Sequence, residues 1–184
     1  VLATTILFAI TAASQTGVEY RVLATTRTST MERELNDAAR EGYLLSSAIG
    51  GETEFGGSEL VAVVERDNSR ELDYPFEYLV LATNSTGTMQ AELEQASRLG
   101  FVFVAQTVFE TDQAGHEVVI ILERGPEGAL LCDYQLLATQ RTSTMQREIR
   151  EHAERGFVVR GMSVAQTAFG GKEVVVVTER CTLP

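Results

Sequence analysis

One register, repeated three times without insertion or deletion, constrains this chain more than any other feature. The segment from Val18 reads V-E-Y-R-V-L-A-T-T-R-T-S-T-M-E-R-E-L, that from Phe76 reads F-E-Y-L-V-L-A-T-N-S-T-G-T-M-Q-A-E-L, and that from Cys132 reads C-D-Y-Q-L-L-A-T-Q-R-T-S-T-M-Q-R-E-I. Tyr20, Tyr78 and Tyr134 align, as do Met31, Met89 and Met145, and then Gly42, Gly100 and Gly156. In every copy 45 positions separate the tyrosine from a closing Glu-Arg pair, Glu65-Arg66, Glu123-Arg124 or Glu179-Arg180. A repeat of this period is one supersecondary unit used several times. The chain therefore divides into module 1 (18–66), module 2 (76–124) and module 3 (132–181), joined by turn-like linkers and preceded by an apolar segment, 1–17.

Within a module the pattern predicts β-α-β-β. Tyr20 to Thr25 reads as a first strand. Met31, Leu35, Ala38 and Ala39 then fall at i, i+4, i+7 and i+8, one face of a helix. Ser29 with Glu32, and Ser143 with Gln146, have capping-box spacing; module 2 places Gly87 and Gln90 there. The aligned glycines stand where a C′ residue ends a helix. A second apolar strand follows, then a polar connection, then a last strand such as Val118 to Leu122. That last strand is apolar on both faces, and one helix covers only one of them. The other face must meet another module, another subunit or the N-terminal segment. The aligned tyrosines are expected to pack beneath the helix. Thr25, Thr83 and Thr139, like Thr30, Thr88 and Thr144, suit turn and cap chemistry. The Glu-Arg closures suit edge salt bridges of small value.

The two cysteines constrain the strand order. Cys132 opens the first strand of module 3 and Cys181 follows its last strand. They meet if those strands are antiparallel neighbours, which gives the order first–last–middle with a crossover helix, a split β-α-β unit. A Cys132–Cys181 disulfide is the expectation and implies an oxidising compartment; two free thiols are the alternative. The fold expected is α+β: three tandem split β-α-β modules, sheets inward and helices outward, with pseudo-threefold symmetry.

Residues 1–17 carry no charge, and Val1 to Ala13 is almost wholly apolar. Val1 in place of a methionine suits a processed chain. Two readings stand. Ile6 to Ile10 with Thr11-Ala12-Ala13 suits the tail of a secretory signal. Alternatively, Val1-Leu2-Ala3-Thr4-Thr5, identical to Val22-Leu23-Ala24-Thr25-Thr26, is a retained strand donated to a neighbouring subunit. Val1, Leu2, Ile6, Leu7, Phe8 and Ile10 are then the assembly residues, and burying the larger of them contributes on the order of 10 kcal/mol as an upper bound.

A net charge of −11 argues against nucleic acid and anionic lipid as partners. The apolar run is too short for a transmembrane helix. No nucleophile elbow, phosphate loop, dinucleotide fingerprint or zinc-protease motif is present. His116 and His152 do not recur across the copies; His152 stands where Ala38 and Ala96 do, a partly buried helix position, and His116 is expected in solvent. The expectation is no catalytic residue, no metal ligand and no cofactor.

Glu19-Tyr20-Arg21-Val22, followed by Arg40-Glu41-Gly42-Tyr43-Leu44-Leu45, resembles a family of small bacterial domains of unknown function. Those domains have an E-Y-K-V-like first strand, a helix and an E-G-W-E-L-like second strand. The resemblance extends to each copy, with tyrosine or phenylalanine in place of tryptophan. It implies the fold and no activity. The function expected is that of a secreted, non-enzymatic subunit that self-assembles into an extracellular filament or fibre through its N-terminal strand. A small-ligand or protein-binding module at the periplasm or cell surface is the alternative.

Overall fold

A computed structural model of the chain describes residues 17–69, 75–111, 115–125, 131–167 and 171–182. The assembly residues named above, Val1 to Ile10, lie outside the described residues. Module 1 comprises β1 (Val18–Thr25), α1 (Thr28–Arg40), β2 (Leu44–Thr53) and β3 (Gly57–Asp67). Module 2 comprises β4 (Glu77–Thr83), α2 (Thr86–Arg98), β5 (Val102–Thr111) and β6 (Gly115–Arg124). Module 3 comprises β7 (Leu131–Thr139), α3 (Thr142–Glu154), β8 (Val158–Thr167) and β9 (Gly171–Thr182).

Each module forms its own three-stranded antiparallel sheet with the last strand central, in the orders β1-β3-β2, β4-β6-β5 and β7-β9-β8. This is the order the cysteine positions require. The register is also conserved: Tyr20 pairs with Glu65, Tyr78 with Glu123 and Tyr134 with Glu179. Every middle strand carries one irregularity at the same place, between Leu45 and Ser47, Phe103 and Ala105, and Val159 and Gly161. The chain is thus α+β with three similar modules.

The helices bury the stripe read from the sequence, Met31, Leu35, Ala38 and Ala39 in α1 and Met89, Leu93, Ala96 and Ser97 in α2. Gly42, Gly100 and Gly156 end them in the left-handed region, at φ of 86°, 83° and 85°. The helix starts differ from the capping-box expectation. The N-caps are Arg27, Ser85 and Arg141, two residues before Ser29, Gly87 and Ser143. Thr25, Thr83 and Thr139 turn the chain into them, each hydroxyl accepting the N–H two residues on, at 3.2, 3.1 and 3.3 Å. Glu32 and Gln90 are therefore free of capping duty.

The two faces of the middle module's central strand, β6, meet different modules. Val118, Ile120 and Leu122 of β6 lie in a core shared with module 3, whereas Val119 and Ile121 lie in a core shared with module 1. For β6 the demand for cover on both faces is met within the chain by the flanking modules; on β3 the face of Val61 and Val63 is only partly covered. α1 packs on β4 as well as on its own sheet, and α2 packs on β7.

Candidate functional site

The residues that recur in all three modules converge at the joins between modules. Two of the aligned tyrosines, Tyr78 and Tyr134, do lie under a helix, but under that of the preceding module, whereas Tyr20 is exposed. Tyr78 enters the core containing Met31, Leu35 and Ala38, and Tyr134 enters the one containing Met89, Leu93 and Ala96. The Tyr78 hydroxyl accepts the N–H of Leu45 at 2.8 Å, and that of Tyr134 accepts the N–H of Phe103 at 2.8 Å. Both amides sit beside the irregularity of a middle strand, where an extra residue interrupts the ladder.

The closing glutamates hold the other side of these hydroxyls. Glu123 hydrogen-bonds Tyr78 and Glu179 hydrogen-bonds Tyr134. Burial pushes both carboxyls above the usual carboxylate range; Tyr78 and Tyr134 lower them again, as does Arg160, 3.0 Å from Glu179. Burial likewise raises both phenols. The closing glutamates of modules 2 and 3 therefore support the joint tyrosines, and Glu179 also forms an ion pair with Arg160 of the edge strand β8. The closing arginines do make edge ion pairs, Arg66 with Glu19 at 2.6 Å, Arg124 with Glu77, and Arg180 with Asp133 at 2.8 Å. They also donate to the last helix carbonyls, of Glu41, Leu99 and Arg155, and lie over the rings of Tyr43, Phe101 and Phe157.

Helix side chains clamp the outer edge of the next module's first strand. Asn36 donates to Tyr78 O at 2.8 Å and accepts Tyr78 N–H at 3.0 Å, and Glu32 accepts Val80 N–H at 2.9 Å. One module on, Gln90 donates to Tyr134 O and accepts Leu136 N–H, both at 2.8 Å. Ser97 bonds both the N–H and the carbonyl of Cys132. An edge strand otherwise presents these groups unpaired. The middle strands add close contacts: Gly50 N–H donates to the Thr107 hydroxyl at 2.8 Å, and the Gln106 amide donates to Ser163 at 2.7 Å.

Cys132 and Cys181 are cross-strand partners and form a disulfide. They lie with Glu179 in the one group of metal-type side chains that comes together among the described residues. Their sulfurs are bonded to each other. His152 is buried at the Ala38 position, 3.3 Å from the Thr178 hydroxyl and 5.5 Å between ring centres from Phe157. Burial and then Arg155 lower its pKa, against Glu148 and Glu151. His116 is half-exposed, 3.8 Å from Glu110. Among the described residues no helix is long and apolar enough to cross a membrane.

The tyrosines and glutamates were visible as a pattern but not as a joint. The missed signal is that Glu32, Gln90 and Gln146 align as long polar side chains whereas the residues at the presumed cap do not. No protein-family model, curated protein or solved structure matches the chain.

Proposed function

We propose that this chain is a non-enzymatic structural subunit that self-assembles in an oxidising, extracellular compartment. The observation that carries this reading is the use made of the repeated residues. Tyrosine, closing glutamate and helix amide join one module to the next, and their polar groups are taken up in making that join. The Cys132–Cys181 disulfide supports the compartment. A closed pseudo-threefold arrangement of the three modules would bury Tyr20 as Tyr78 and Tyr134 are buried; Tyr20 is 65% exposed, against 4% and 1%. The apolar segment, with Val1, Leu2, Ile6, Leu7, Phe8 and Ile10, supplies one route of association, as a strand added to a neighbour's sheet edge.

A ligand-binding reading draws on an open cleft of about 740 Å³ between α2 and module 3, at the second join, lined by Ser97 and Tyr134 and by the charged Glu94, Arg98, Asp133 and Arg180. Arg180 is already engaged by Asp133 and by the Arg155 carbonyl, so we favour assembly.

Negative-stain microscopy and sedimentation of the full chain test the reading. Filaments or discrete higher oligomers are expected. A chain that stays single up to high concentration contradicts it.

A further inference from the structure

The two internal joins are copies of one interface, and that interface is left half-made at each end of the row. At the module 1 end, Tyr20, Val22 and Ile49 are each about two-thirds exposed. By register Tyr20 and Val22 match Tyr78 and Val80, and Tyr134 and Leu136, and Ile49 matches Thr107 and Ser163, on the sheet face that packs into the preceding module. Val61 and Val63 are only partly buried, whereas their equivalents Val119, Ile121, Val175 and Val177 are fully buried. At the module 3 end, Val159 is half-exposed, and Met162 and Val164 are each about two-thirds exposed. They match Leu45, Ala48 and Gly50 in module 1, and Phe103, Gln106 and Val108 in module 2, which receive the following module. Six of the exposed large apolar side chains thus stand at interface positions.

We infer that the module 1 face of one copy docks on the module 3 face of a second copy, repeating the internal join between chains. This rests on the assembly reading and gives it a route that does not use residues 1–16. Tyr20 then enters under α3 and meets the amide of Val159, which sits beside the same strand irregularity as Leu45 and Phe103. Gln146, the α3 counterpart of Gln90, takes the Tyr20 carbonyl and the Val22 N–H from the outer edge of β1. Ala153 is exposed on α3, whereas its equivalents Ala39 and Ser97 are buried at joins. The new join also has room at the equivalent place. At the first join Gly50 lies against the backbone of Val108 and Phe109. At the second, Val108 and Ala165 share a core. At the new join Val164 meets Gly51, which has open space around it. A head-to-tail contact of this kind continues as a filament unless its rotation closes a ring.

The test uses full-length chains with Tyr20→Glu, blocking one face, and Met162→Glu, blocking the other. Both positions are exposed within a copy, so each variant folds. Burying an unpaired carboxylate weakens the join about a hundredfold or more. In sedimentation velocity the unaltered chain is expected to form a ladder of oligomers. Each variant alone is expected to sediment as single copies, and the equimolar mixture as pairs and nothing longer. Oligomers that persist in both variants overturn the inference. If those oligomers vanish on deletion of residues 1–16, self-assembly survives and its route is the N-terminal segment. An unaltered chain that stays single overturns both.

Discussion

The Tyr78 hydroxyl accepts the Leu45 N–H at 2.8 Å, so a side chain of module 2 satisfies a strand irregularity of module 1. Removing the hydroxyl leaves a buried amide without its acceptor, a loss of about 1–3 kcal/mol. Tyr78→Phe and Tyr134→Phe are each expected to lower the urea midpoint accordingly. Tyr20→Phe, at the exposed equivalent, is expected to change single-copy stability by less than about 0.5 kcal/mol. Equal losses from all three would contradict the asymmetry.

Gly50 gives a second test of the same join. A Cβ there would lie 2.1 Å from the Val108 carbonyl oxygen, whereas one on Gly51 meets nothing within 4 Å. Because the obstacle is backbone, Gly50→Ala is expected to cost about 1–3 kcal/mol. Gly51→Ala is expected to be close to neutral for a single copy. Thermal unfolding of the two variants decides it.

The disulfide closes a loop of 49 residues that contains most of module 3. In the chain-entropy model such a loop contributes about 4 kcal/mol. A Cys132→Ala, Cys181→Ala chain is expected to lose up to that amount. Hydrogen exchange should rise first along β7 and β9, the strands the bridge joins, with β1 and β3 least affected. Uniform loss of protection in all three sheets would show that module 3 does not respond as a local unit.

Glu123 and Glu179 have pKa values raised chiefly by burial. A group raised in the folded state contributes stability that is full below its unfolded value, near 4.5, and lost as pH climbs through the folded value. His152 is lowered, again chiefly by burial, so its contribution is full above about 6.5 and lost as pH falls from there toward the folded value. Glu179→Gln is expected to flatten the decline above pH 4.5, and His152→Ala to flatten the decline below 6.5. Denaturation midpoints measured from pH 4 to 8 read both slopes.

The sequence carried what is local or periodic. The constant spacing from the tyrosine to the closing glutamate required the three modules to share one strand register, whatever that register was. The positions of Cys132 and Cys181 required those strands to be neighbours. Gly42, Gly100 and Gly156 marked the helix ends, because a left-handed residue is needed there. What lay beyond it depends on which module lies beside which. Glu32 sits three residues after Ser29, and that spacing suits a capping box as well as it suits a clamp on Val80 N–H; only the neighbouring strand distinguishes them. The tyrosines looked like core residues, and Tyr78 and Tyr134 are core residues, but of the preceding module, while Tyr20 is exposed; no pattern inside one module reveals the donor of a neighbouring core.

The tyrosine-and-bulge joint has a consequence for length. It specifies how the next unit is attached and contains no instruction to stop. Under the docking inferred above, duplication of a module within the gene and arrival of a separate copy from solution would extend the row by the same step. A protein built this way can trade chain length for subunit number, and its size is set by how many units are supplied and by whatever covers the last face.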